Sequence, residues 1–144
     1  MMRKLLGTSF GYLLAGLAGG VFYREFTKFQ GFDGRTTLSF LHVHLLVLGM
    51  VVFLVVLMLD RLFQITQSKL FPVFFGIYNA GIVVSVSCMV ARGVTQVLAT
   101  NLSSGADAAI SGVSGLGHIL LGAGLIMLFI LLFQKIKREK VTQA

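Results

Sequence analysis

Residues Ser39–Met50 read SFLHVHLLVLGM and set two imidazoles, His42 and His44, inside an apolar run extending from Leu38 to Leu59. A run of that length spans the ~30 Å hydrocarbon core of a bilayer as a helix. Ionisable groups at such depth are costly, and they turn toward a bundle interior or a cavity. The third histidine, His118, lies in a second run of the same kind, GLGHILLGAG.

The surrounding chain supports a membrane setting. It has 144 residues, of which 56% are hydrophobic and 12% charged; a soluble domain carries about twice that charged share. Its mean hydropathy is +0.92. The length leaves room for one domain and no appended soluble enzyme module. A net charge of +7 would point to nucleic acid in a soluble protein. Here the bases flank apolar runs, which marks them as topology determinants, and no nucleic-acid partner is expected. The lone Cys88 excludes an internal disulfide. There is no CxxCH, no phosphate-binding loop and no Ser/His/Asp arrangement, so enzymatic activity is not expected.

Apolar runs predict helices over roughly 5–26, 37–62, 70–99 and 110–135. The first run, with Arg3 and Lys4 before it and Ala18-Gly19-Gly20 near its end, has features of a secretory signal. Its length suits a retained span. Short links join the runs, which implies an all-α, integral membrane, antiparallel four-helix bundle in the lipid bilayer. The small polar link Thr100–Ser111 is read as a loop. Arg3, Lys4, Arg61, Lys69 and the C-terminal Lys135, Lys137, Arg138 and Lys140 fall on one side. Arg24, Lys28, Arg35 and Arg92 fall on the other, so both termini are expected in the cytoplasm.

Depth and direction suggest what the histidines do. At ~1.5 Å per residue, His42, His44, His118 and Arg92 all fall roughly 6–14 Å below the same surface. Residues two apart differ by ~200° around a helix, so His42 and His44 cannot both face the bundle axis. His42 shares its face with Ser39, Gly49, Phe53 and Asp60. That face is the more polar, which aims His42 inward and His44 at a neighbouring helix or another subunit. Gly115 and Gly122, at minus three and plus four from His118, clear a flat strip beside its ring. As an ordinary structural charge, Arg92 would pair with Glu25.

Two imidazoles at matched depth on different helices, with glycines beside them, suit a haem b. In that reading His42 and His118 are the axial ligands and His44 is the substitute. Gly49, Gly115 and Gly122 admit the porphyrin, and Arg92 or Arg24 neutralises the propionates. The role is electron transfer or haem binding and sensing; a redox partner is unspecified and a homo-oligomer stays open. A second reading is a metal-ion carrier in which the same three histidines hold Zn, Cu or Fe. A third is a structural or regulatory subunit whose imidazoles hydrogen-bond neighbouring helices, typically for ~1 kcal/mol or less each.

Three blocks carry a resemblance: YREFTKFQGFDGRTTLSFLHVHLLVLGM (23–50), ARGVTQVL (91–98) and DAAISGVSGLGHILLGAGL (107–125). Together they resemble a family of small bacterial four-helix membrane proteins of unknown function. The resemblance implies the fold and a bacterial plasma-membrane location. More distantly, His-x-His followed by Leu-Gly-Met is similar to a helix of the haem-copper oxidase catalytic subunit that carries a haem-ligating histidine. It would place that role on His42 or His44, with His118 as the partner on a late helix. The additional histidines that hold copper and an active-site haem there are missing here, so oxygen or nitric-oxide reduction is not implied.

Overall fold

The computed structural model describes residues 1–142, with side chains through Lys137; Arg138 and Lys140 of the C-terminal basic run therefore lie outside the described side chains. The described residues are all-helical: α1 is Met2–Phe29, α2 is Thr37–Phe63, α3 is Phe71–Val97 and α4 is Ser104–Thr142. Four helices are long and apolar enough to cross a membrane. The first three match the expected spans to within a turn. α4 begins earlier, inside the link read as a loop. Ser103 caps it, its Oγ accepting from the Ala106 N–H at 3.3 Å, and Asp107 stands in the first turn, where a negative charge meets the positive end of the helix dipole.

The links turn tightly. Gly31 ends α1 at φ +60, a left-handed conformation that glycine adopts without a Cβ clash. Gln64 takes φ 50 after α2, and the Asp60 carboxylate, 8% exposed, accepts from the Thr66 N–H at 2.8 Å to hold that turn.

α2 and α3 form the central pair. The buried stripe of α2 is Leu38, Leu41, Leu45, Gly49, Phe53, Val56 and Asp60. Thr36 and Thr37 fasten its start to α3, their hydroxyls donating to the carbonyls of Gly93 and Met89 at 3.0 and 2.9 Å. Phe53 lies among the rings of Tyr12, Phe75 and Tyr78, with centroids 5.9, 5.5 and 5.8 Å away. Such separations are those of favourable aromatic contacts.

α1 packs on α2 through glycines, Gly16 against Leu46 and Gly19 against Leu41. α4 packs on α3 along Gly117, Leu121, Gly124, Leu128 and Leu131. α1 and α4 share no seam of their own among the described residues. α1 packs mainly on α2 and α4 mainly on α3. The outer faces carry Leu6, Phe10, Leu14 and Leu17 on α1 and Leu116, Ile119, Ile126 and Phe129 on α4, as a hydrocarbon environment requires.

Helix α2 is not regular. It opens with a 3-10 turn over Thr37–Phe40 and widens to a π-helix over His44–Val51 before returning to α over Val52–Phe63. Within the wide turn the Val52 N–H reaches back to the Val47 carbonyl. Where i→i+5 bonding gives way to i→i+4 bonding, a carbonyl loses its helical partner. An orphan carbonyl inside a membrane costs several kcal/mol. The Tyr78 hydroxyl of α3 donates to Leu48 O at 3.0 Å, and the Ser9 hydroxyl of α1 donates to Met50 O at 2.9 Å. Neighbouring helices thus stabilise the π turn from both sides.

Candidate functional site

π turns inside α-helices cluster at functional sites, and this one begins at a histidine. Leu41 and Leu45 occupy the interior line of α2, so neither His42 nor His44 sits on the bundle axis. Each flanks that line, on opposite sides. His42, the imidazole expected to face inward, is half-buried with an enclosed Nδ1, and leucines take the buried line beside it.

His42 leans toward α1, where a Cβ on Gly20 would stand 3.6 Å from its own Cβ. Its Nδ1 is buried and has no hydrogen-bond partner among the described residues. His44 leans the other way, toward α4, and there it meets His118. The two ring centroids are 6.4 Å apart and the ring planes cross at 85°. The structure therefore brings His44, not His42, together with His118.

Both rings of this pair are oriented in the same manner. His44 Nδ1 lies 3.0 Å from the Phe40 carbonyl and His118 Nδ1 lies 2.8 Å from the Ser114 carbonyl, each four residues earlier in its own helix. A carbonyl oxygen only accepts, so in the neutral ring Nδ1 carries the proton. The Nε2 lone pair is then free on both histidines. Anchoring one ring nitrogen on a carbonyl so that the other binds is how proteins prepare imidazole for metal ligation. A metal–imidazole bond of about 2.0 Å plus about 1.1 Å from nitrogen to ring centre sets two rings opposed across one metal about 6.2 Å apart. The 6.4 Å between ring centres is near that span and is also an ordinary edge-to-face contact distance.

The glycines divide into two groups. Gly115 and Gly122, expected beside His118, are open: a Cβ at either would meet nothing within 4 Å. The third expected glycine, Gly49, is occupied instead. A Cβ there would stand 2.5 Å from the Tyr12 ring, which fills its bare face from α1. Gly49 thus seats an α1 aromatic ring and leaves no room for a bound group.

The arginines differ from expectation as well. Arg92 pairs with Asp107 at 2.7 Å, not with Glu25, and also donates to the Ser111 hydroxyl at 2.8 Å. Those bonds tie α3 to the first turns of α4. Ser85 opposes Gly117 across the α3–α4 seam, so His118 lies level with residues near Val84. Arg92 is then about two turns of helix from the histidine pair. Arg24 is a surface residue, 81% exposed, within 3.9 Å of its neighbour Glu25. A further cation on the same side is Arg35, which lines a surface pocket with Thr37 and Phe40, the residue whose carbonyl holds His44. Cys88 is buried and free in the core.

Sequence reasoning missed the residues that support the site from behind: Tyr78 and Ser9, which satisfy the π turn, and the carbonyls of Phe40 and Ser114. Any residue supplies a carbonyl, so those two have no sequence signal. The hydroxyls of Ser9 and Tyr78 inside apolar runs are a signal, readable only once the π turn is known. Among the described residues no group of three or more His, Cys, Asp or Glu side chains is placed to hold a metal ion.

The family model described as "Protein of unknown function (DUF2871)" matches residues 2–135, and the chain belongs to that family. No curated protein and no solved structure matches it.

Proposed function

We propose that this four-helix membrane protein binds haem b, with His44 and His118 as the two axial ligands. The observation that carries the reading is the pair itself: 6.4 Å between ring centres, with each Nδ1 held by a backbone carbonyl. Bound haem supplies one-electron redox chemistry. The porphyrin brings four equatorial nitrogens, so two imidazoles complete the iron's coordination. A bare ion wants more protein ligands, which makes the metal-carrier reading the weaker one. The bare strip at Gly115 and Gly122 gives a flat ligand an approach to His118. Arg35, and not the engaged Arg92, is the cation we assign to a propionate.

With both axial positions filled, small substrates have no open site on the iron. Electron transfer or haem sensing is therefore the role, in a bacterial plasma membrane with both termini cytoplasmic, as the flanking bases suggest.

A visible spectrum of the detergent-purified protein, oxidised and then dithionite-reduced, tests this. The expected result is a Soret band with sharp reduced α and β bands. His44→Ala and His118→Ala each lose most of the Soret absorbance, and His42→Ala keeps it. A wild-type protein that stays colourless after haem is supplied would make the pair a helix-packing contact and end the proposal. Loss in His42→Ala with retention in His44→Ala would overturn the ligand assignment.

A further inference from the structure

A groove of about 410 Å³ runs between α1 and α3. Its walls are apolar, with Leu45, Ile82 and Val86 at the back, and it opens outward beside Gly11 and Val83. A Cβ on Gly11 would meet nothing within 4 Å, so the opening is not filled by the protein. Its volume lies in the range of small-molecule sites.

Four polar side chains, Thr8, Tyr12, Asn79 and Ser87, line this mainly apolar groove, and Tyr12 and Asn79 bond each other across it. The Tyr12 hydroxyl donates to Asn79 Oδ1 at 2.7 Å, and Asn79 Nδ2 donates to the Phe75 carbonyl at 2.7 Å. An amide nitrogen has two hydrogens and a phenol oxygen also accepts. One Asn79 N–H and the Tyr12 oxygen lone pairs are therefore left over, side by side. Polar groups kept at membrane depth are costly and mark function by default. An acyl chain has no use for a donor next to an acceptor. A ring that carries carbonyl or hydroxyl oxygens does.

We propose that the groove between α1 and α3 binds the headgroup of a membrane-soluble quinone, with Asn79 and Tyr12 as its polar anchors. The ring enters from the bilayer past Gly11, and the isoprenoid tail stays in hydrocarbon. Leu45, in the back wall, directly follows His44 in sequence, so a bound quinone and the histidine pair meet α2 at adjoining residues. Binding does not depend on the haem proposal; an electron-transfer role for it does.

The test titrates a naphthoquinone and a benzoquinone, each with a short isoprenoid tail, into the full-length protein in lipid nanodiscs. Saturable binding to haem-free and haem-loaded protein is expected for one ring class or both. Gly11→Leu sets a side chain in the opening, where its Cβ meets nothing within 4 Å, and weakens binding at least tenfold with an unchanged melting temperature. Asn79→Leu weakens it by a similar factor, and Gly112→Ala on α4, whose Cβ meets nothing within 4 Å, leaves it as it was. Non-saturable partitioning that is equal in wild type and Gly11→Leu would assign the groove to lipid chains and overturn the proposal. So would a shift from dimer to monomer in Gly11→Leu without quinone binding, which would make the groove a contact between copies. A Soret band lost in His118→Ala with quinone binding intact separates this site from the haem site.

Discussion

Helix α4 carries glycine on two faces, and the two faces behave oppositely. Gly117 and Gly124 are pressed against α3, where a Cβ would stand 2.5 Å from Ser85 Oγ and 2.9 Å from the Tyr78 side chain. Gly115 and Gly122 look onto nothing. On the first face glycine lets two backbones approach closely, as small residues do at membrane helix interfaces. On the second it holds a strip bare beside His118. The same residue type, about half a turn apart, closes a seam in one case and leaves an opening in the other.

The strongest way to break this contrast is Gly117→Val. Its Cβ would stand 2.9 Å from the Ser85 backbone nitrogen, which cannot swing aside. The cost is roughly 1–3 kcal/mol or more, read as a large fall in the melting temperature of the detergent-solubilised protein. Next in size is Gly115→Leu, which meets no neighbour. Stability is expected to hold within about 0.5 kcal/mol, while haem uptake followed at the Soret band falls several-fold. Equal destabilisation by both substitutions would erase the distinction between the faces. A third test addresses the support behind His44. Tyr78→Phe removes the donor to Leu48 O, leaves that carbonyl unpaired and costs about 1–3 kcal/mol, measured by unfolding in mild denaturant. Adding Ser9→Ala to it should give a non-additive loss, since both hydroxyls brace one π turn.

The same contrast shows how far the residues alone could be read. Gly115 and Gly122 were identifiable because they stand one turn either side of His118 on one helix, a relation that helical periodicity supplies. Gly49 was read as equivalent and is not, because its neighbour Tyr12 comes from another helix. Arg92 was placed near the histidines by depth, yet Asp107 claims it. That partner was hidden in a segment read as a loop, since its small polar residues do not announce a helix that starts from Ser103.

The histidine pairing failed for a related reason. Regular helical geometry correctly separates His42 from His44 by more than half a turn. It does not say which neighbour each one meets. The chain's own residues determined that four helices are long and apolar enough to span a membrane and that three imidazoles fall within two of them, because hydropathy and helical rise are local properties of a single strand of residues. That His44 meets His118, that leucines take the axis and that α2 widens into a π turn were decided by packing. Those outcomes depend on how the helices are arranged around one another and on hydroxyls that α1 and α3 bring to carbonyls of α2, and neither exists until the bundle is assembled.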